Sequence, residues 1–226
     1  MREIVLDTET TGMDPEKGDR LVEIGCVELE GHIATGRTFQ VYINPERDIP
    51  AEATAVHGIT NDFVKDKPVF AQAYSEFLEF IGDARLVIHN AEFDMKFINY
   101  QLKDVGAAPI PWARVTDTLA LARQKFPGSP ANLDALCRRF GVDNTGRTYH
   151  GALLDSQLLA EVYLELLGGR QQGLSLLTGG AASQGAVAAK KERAVREARV
   201  FAIPEDETAA HQAMLEKIKE PLWLKA

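Results

Sequence analysis

The chain has 226 residues and a formal net charge of −8, with 45% hydrophobic and 26% charged residues. This length suffices for one well-buried domain plus a tail, and the composition is ordinary for a globular protein. No apolar stretch approaches the roughly 20 residues of a membrane-spanning helix. The cysteines, Cys26 and Cys137, lie in apolar segments, so we expect buried thiols in the reducing cytoplasm and no disulfide or zinc site.

The first predicted elements are strands at 3–6, 21–29 and 38–43, with a turn at 30–32 that makes them an antiparallel meander. Strands and helices then alternate. Further strands are predicted at 85–88 and 113–116, and helices at 70–81, 91–103, 118–125, 133–140 and 152–167. This order predicts an α/β fold in which helices flank a five-stranded mixed sheet.

The composition changes after Leu167, where two glycines end the last helix of the domain. We therefore predict a domain over 1–168, a flexible linker over 169–190 and a tail over 191–226. The tail contains one short helical pattern and ends in the apolar sequence Leu222-Trp223-Leu224. An apolar tip on such a tail is typical of a docking element.

Two acids follow the first strand directly. Asp7 and Glu9 are two residues apart on that strand, so their side chains point to the same face. Asp-x-Glu tripeptides are common, and only the context favours a site here. Thr10 and Thr11 supply hydroxyls and backbone amides beside the acids.

Three further candidates lie later in the chain. Asp94 falls in the first turn of a helix that follows a strand, where a favourable interaction with the helix dipole would also explain it. His150 and Asp155 are about 140° apart on an ideal helix, which indicates that His150 precedes the helix and Asp155 lies on it. A loop histidine and an exposed helical aspartate are the alternative interpretation of this pair.

Three nearby polar residues are not assigned to the metal site. Asp117 immediately precedes a helix, so helix N-capping explains it. Glu92 lies close to Asp94 but is not assigned to the site. His57 fits two interpretations equally well, a pocket wall or a turn.

Clustered carboxylates repel one another unless cations lie between them. Hard divalent ions such as Mg²⁺ and Mn²⁺ prefer oxygen ligands and keep several waters, which leaves room for phosphate oxygens. The four acids Asp7, Glu9, Asp94 and Asp155 therefore predict two such ions and a phosphodiester substrate. A histidine has an ordinary pKa of about 6.5 and suits a general base, the role predicted for His150. The net charge of −8 predicts weak, salt-sensitive nucleic-acid binding by the chain alone.

At these residues the chain resembles the DnaQ-like (DEDDh) 3′–5′ exonucleases, and most closely the proofreading subunits of bacterial replicative DNA polymerases. Three motifs carry the resemblance, at residues 7–12, 89–94 and 149–155, and it covers about residues 2–168. It implies an RNase H-like fold and release of 5′-mononucleotides from DNA 3′ ends. Thr10, Thr11 and His57 would then position the terminal nucleotide.

The resemblance extends into the tail. Residues 171–176, Gln-Gln-Gly-Leu-Ser-Leu, resemble a sliding-clamp peptide with Leu176 in place of an aromatic residue, which implies weak clamp binding. A linker with a few leucines is the alternative. Leu222-Trp223-Leu224 resembles the segment that binds the polymerase (alpha) subunit. Two other functions remain open, an RNA 3′-exonuclease and a non-catalytic adaptor between clamp and polymerase.

Overall fold

The structure is a computed structural model, and it describes residues 1–146, 149–169 and 204–218. The chain divides into two units, Met1–Ser175 and Leu176–Ala226. The sequence features predicted at 171–176 and 222–224 lie outside the described residues. Within the described ranges, every helix is too short or too polar to cross a bilayer.

The first unit contains a five-stranded mixed sheet. Its strands are β1 (Arg2–Thr10), β2 (Leu21–Glu30), β3 (Ile33–Tyr42), β4 (Arg85–Ile88) and β5 (Val115–Asp117). The strand order is β3-β2-β1-β4-β5. Strand β2 pairs antiparallel with β1 and with β3, and β4 pairs parallel with β1 and with β5. The predicted meander and the mixed sheet are therefore confirmed.

Seven helices are described in this unit and one in the second. They are α1 (Ala51–His57), α2 (Asn61–Val64), α3 (Phe70–Ile81), α4 (Ala91–Asp104), α5 (Thr118–Lys125), α6 (Leu133–Phe140), α7 (Ala152–Leu166) and α8 (Glu205–Leu215). The sequence pattern missed α1 and α2, because seven and four residues are too few for helical periodicity to show. It also ended β1 at residue 6, whereas pairing with β2 continues to Thr10.

The central strand β1 is buried on both faces. Ile4 and Leu6 pack with helices α3 and α4 in one core cluster. Val5, which points the opposite way, packs with Leu159 and Tyr163 of α7 in a second cluster. Because both faces are covered, the carboxyl end of β1 opens only at the edge of the sheet.

Helix α7 lies unusually close to β2 at Gly25. The Ser156 hydroxyl donates a hydrogen bond of 2.9 Å to the Gly25 carbonyl, and the Ala152 amide donates one of 3.1 Å to the Glu23 carboxylate. A Cβ atom at Gly25 would stand 2.2 Å from the Ala152 carbonyl carbon. Gly25 is also the partner of Asp7 in the β1–β2 pairing. Its missing side chain therefore lets the start of α7 approach the strand that carries the acids.

We predict that Gly25→Ala displaces the first turn of α7. Overpacking of this kind costs about 1–3 kcal/mol, and the shift should also weaken metal binding because Asp155 lies in that turn. Urea unfolding and Mn²⁺ titration calorimetry measure the two effects. Gly146→Ala is the matched control, because an added Cβ there meets nothing within 4 Å. Wild-type stability and Mn²⁺ affinity in Gly25→Ala would contradict the prediction.

Candidate active site

Asp7 and Glu9 lie near the carboxyl end of β1. Both line the same cavity, as their two-residue spacing on a strand predicts. Glu9 is 8% exposed and Asp7 is half-buried. The pairing with β2 shifts register directly after Glu9, at Thr10, so the strand becomes irregular where the acids emerge.

Asp94 reaches the same edge from α4. This helix follows β4, and because β4 is parallel to β1, both strands deliver their next residues to one edge of the sheet. Asp94 is 3% exposed and accepts a hydrogen bond of 2.7 Å from the Thr8 hydroxyl. Burial raises the pKa of Asp94 from its ordinary value to about 7, and the Thr8 hydrogen bond opposes that rise. A cation bound beside this carboxyl group would favour its charged form.

His150 and Asp155 flank the start of α7. Asp155 lies in the first turn and is buried, whereas His150 precedes the helix and is about half exposed. The prediction that His150 precedes the helix and Asp155 lies on it is confirmed, whereas the alternative with an exposed aspartate is wrong because Asp155 is buried. Nδ1 of His150 lies 3.3 Å from Oδ2 of Asp155.

The loop that carries His150 contacts the end of α1. The His150 amide donates a hydrogen bond of 3.0 Å to the Val56 carbonyl. The Tyr149 ring lies against Gly58, whose left-handed φ of 73° ends α1. Two contacts therefore fix the histidine loop to α1 on one side, while α7 holds it on the other.

All five predicted residues line one cavity of about 740 Å³. Ligand atoms of Glu9, His150 and Asp155 lie within 4.8 Å of one another. Asp7 and Asp94 lie in the wall of the same cavity but outside that tight group. Buried carboxylate oxygens beside one imidazole are a donor set that fits a hard divalent cation.

Asp117 and Glu92, which are not assigned to the metal site, do not line its cavity in the structure. Asp117 accepts hydrogen bonds from the amides of Leu119 and Asn90, at 2.9 and 3.1 Å, and caps α5 as predicted. Glu92 is exposed and lies outside both cavities of the site.

The same cavity has residues that the sequence did not reveal. His89 is half-buried, and its Nδ1 lies 2.9 Å from the Thr118 hydroxyl. Burial lowers the pKa of His89, Asp117 opposes this, and the positive charge of Arg123 adds to it. His89 lies in a motif already noted and was within reach of sequence reasoning. Arg123 lies in the last turn of α5, as many surface arginines do in their helices. Its sequence context therefore does not indicate that it lines the cavity.

A second cavity, of about 510 Å³, adjoins the first, and Thr8, Glu9 and Phe93 line both. Thr10, Thr11 and His57 lie in its wall. The two threonine hydroxyls hold the local loop together, since Thr10 donates to the Gly12 carbonyl at 2.6 Å and Thr11 contacts Asp19.

His57 is the buried histidine of the second cavity, with 6% exposure. Its Nδ1 accepts a hydrogen bond of 3.0 Å from the Ile59 amide, so the proton of the neutral ring belongs on Nε2. Burial lowers the pKa of His57, which favours that neutral form, although the nearby Thr10 backbone opposes the shift. Among the described residues, Nε2 has no partner with hydrogen-bond geometry. Nε2 is thus a buried donor whose hydrogen-bonding capacity is unused.

Comparison with known proteins gives a consistent result. Residues 4–163 match the profile of the exonuclease family. The chain is 45% identical to DNA polymerase III subunit epsilon of Escherichia coli (strain K12) over 229 residues, which cover 97% of this chain and 94% of the relative. It is 56% identical to the protein of the same name from Rickettsia conorii over 180 residues, 78% of each chain.

Solved structures share the fold. Exonuclease X in complex with 5′ overhanging duplex DNA matches 73% of this chain and 90% of its own, with a TM-score of 0.59 and 25% identity. The nuclease domain of 3′hExo, described as a DEDDh family member bound to rAMP, matches 74% and 91% with a TM-score of 0.62 and 23% identity. The second likeness concerns the fold alone. Together these matches confirm the predicted RNase H-like architecture.

We predict that Asp94→Asn stabilises the metal-free protein above pH 7. Because the folded pKa is raised, Asp94 costs no stability below about pH 4, a growing amount as the unfolded carboxyl group ionises between pH 4 and pH 7, and about 4 kcal/mol above pH 7. The asparagine removes that cost and also weakens the stabilisation by Mn²⁺. Thermal unfolding from pH 4 to pH 8, with and without Mn²⁺, measures both effects. Glu92→Gln, an exposed acid in the same turn, is the control, and identical pH profiles for Asp94→Asn and wild type would contradict the prediction.

Proposed function

The chain belongs to the exonuclease family, among relatives named DNA polymerase III subunit epsilon, and we propose that Asp7, Glu9, Asp94, His150 and Asp155 perform its 3′–5′ exonuclease reaction. The substrate is the 3′ end of DNA, and the biological role is proofreading. One observation carries the assignment of residues: three motifs far apart in the sequence contribute acids and a histidine to a single cavity.

Exonucleases of this family depend on divalent metal ions. We assign two ions to this site, Mg²⁺ or Mn²⁺, with Asp7, Glu9, Asp94 and Asp155 as their ligands. When bound, such ions lower the pKa of a coordinated water and neutralise charge on the scissile phosphate. The buried carboxylates support this assignment, because their mutual repulsion is relieved by cations.

His150 accepts the proton of the attacking water in this mechanism. Its exposure leaves the imidazole in contact with solvent, so the proton can pass on to water. Asp155, 3.3 Å from Nδ1, orients the ring and stabilises the imidazolium. Attack of this water on phosphorus, opposite the 3′-oxygen of the preceding nucleotide, breaks the bond between phosphorus and that oxygen. The 3′-oxygen takes up a proton from solvent and becomes the new 3′-hydroxyl, and the terminal residue leaves as a 5′-mononucleotide.

The second cavity suits the terminal nucleoside. It adjoins the carboxylates, and its wall combines apolar groups such as Val56 and Phe93 with the Nε2 donor of His57. Thr10 and Thr11, which follow Glu9 in the chain, also lie in its wall. A frayed end enters such a cavity without the cost of breaking base pairs, so a mismatched terminus is preferred.

The partners proposed from the tail follow the names of the relatives. We assign 1–168 to the nuclease domain, 169–190 to a linker and 191–226 to a segment that binds the polymerase III alpha subunit. Residues 171–176 would bind the sliding clamp weakly. Tethering of this kind raises the local concentration of the nuclease at the primer end, which offsets weak DNA binding by an acidic chain. We propose the cytoplasm as the location, for which the two buried cysteine thiols are the supporting observation.

Neither alternative function has a supporting observation. A non-catalytic adaptor does not need buried acids gathered in one cavity, since that arrangement is unfavourable without a cation. An RNA 3′-exonuclease uses the same scaffold, and the likeness to RNA-processing nucleases extends to the fold alone. Matched DNA and RNA strands of one sequence separate the two activities by their relative kcat/KM.

We predict that the full chain with Mg²⁺ shortens a 5′-labelled DNA strand stepwise from its 3′ end. Asp7→Ala should lower the rate at least a hundredfold, because it removes a metal ligand. Glu92→Gln, an exposed acid outside the cavity, should retain wild-type activity. Gel analysis of the products is the measurement. Internal cuts, or full activity in Asp7→Ala, would refute the assignment.

For His57 we predict a loss of substrate affinity. His57→Phe keeps the bulk of the ring but removes the Nε2 donor, and a neutral hydrogen bond is worth roughly two- to tenfold in KM. Steady-state kinetics on a single strand measure the change. His211→Phe, at an exposed histidine of α8, is the control. An unchanged KM in His57→Phe would remove this residue from the nucleoside site.

A further inference from the structure

The two cavities meet at the acids and continue in different directions. Both are lined by Thr8, Glu9 and Phe93. The second cavity extends toward His57, and the first extends toward the ends of α5 and α6, where Arg123 and Leu133 lie in its wall. A substrate phosphate at the acids therefore has one compartment on each side.

The first cavity extends beyond the proposed metal ligands. Beyond them its wall contains Leu119 and Leu133, both half-buried, and the side chain of Arg123. If the terminal nucleoside fills the second cavity, the preceding nucleotide of the same strand lies in the first cavity. This step rests on the proposed function.

Among the residues described in this wall, Arg123 is the one arginine or lysine. It is exposed, and no hydrogen bond or ion pair joins it to any other residue in the part of the chain that the structure describes. Arg2 and Arg47, in contrast, are held by Glu28 and Asp19 at 2.7 and 2.8 Å. An arginine without an internal acid, in the wall of an otherwise acidic cavity, is suited to an anionic ligand.

We propose that this part of the first cavity binds the penultimate nucleotide, and that Arg123 binds the phosphate on its 5′ side. A guanidinium forms paired hydrogen bonds with phosphate oxygens, which fixes the position of the strand as well as adding affinity. Leu119 and Leu133 provide an apolar surface for the nucleoside. Arg123 is thus a positioning residue that sets the register of the strand and does not contact the scissile phosphate.

The test uses three substrates and the full chain. The p-nitrophenyl ester of thymidine 5′-monophosphate has no upstream nucleotide. A DNA trinucleotide has the phosphate assigned to Arg123, and a matched trinucleotide carries a neutral methylphosphonate at that linkage. Arg123→Gln should lower kcat/KM on the normal trinucleotide about ten- to hundredfold, the effect of losing a hydrogen bond to a charged group. Its kcat/KM on the ester and on the methylphosphonate should match wild type.

Two further variants sharpen the result. Arg123→Lys keeps the charge without the paired donors and should recover part of the loss. Arg138→Gln removes an exposed arginine of α6 outside the cavity and should change nothing. An equal loss on all three substrates, or no loss on any, overturns the subsite. Failure of the wild-type chain to hydrolyse any of them overturns the proposed function itself.

Discussion

The close approach of α7 to β2 at Gly25 is the constraint on which the site depends. Asp155 lies on a helix at the end of the domain sequence, and Asp7 lies on the first strand, so the fold must bring two distant segments into contact. A glycine opposite Asp7 makes the contact possible, and hydrogen bonds from Ser156 and Ala152 fix it. These bonds involve the backbone carbonyl of Gly25 and the carboxylate of Glu23, neither of which takes part in the chemistry. The scaffold thus positions the acids before any ion is bound.

The acids themselves oppose this arrangement. Glu9, Asp94 and Asp155 are all buried around one cavity, and like charges gathered in this way repel one another. Burial adds to this cost at Asp94, because its pKa is raised to about 7 even though Thr8 donates a hydrogen bond to it. Stability is therefore lower than the packing of the two core clusters alone would give. Binding of cations returns part of that stability, so that folding and cofactor binding are linked.

The sequence was most informative where chemistry and periodicity coincide. The mixed sheet, the longer helices and the shared face of Asp7 and Glu9 followed from periodicity and strand spacing, and the position of Asp94 followed from its helix. The inclusion of His150 and Asp155 in the site was implied by the family resemblance. It was least informative where tertiary contacts decide. Helices α1 and α2 are too short to show a period, and β1 continues past the apolar run because β2 supplies its hydrogen bonds. Arg123 could not be found from sequence, because the wall in which it lies is formed only when α5 and α6 pack beside the acids.

The loop that carries Tyr149 and His150 links the first cavity to α1, which lines the second. His150 is bound through its amide to Val56, and Tyr149 covers Gly58, so the proposed proton acceptor rests on the same short helix that contributes Val56 and His57 to the second cavity. Recognition of the end group and removal of the proton therefore share one support. Attempts to reshape the wall of this cavity for modified nucleotides will move the imidazole as well, unless the turn after α1 keeps its left-handed glycine. In the proposed mechanism, specificity for the terminal nucleotide and turnover are therefore coupled through α1.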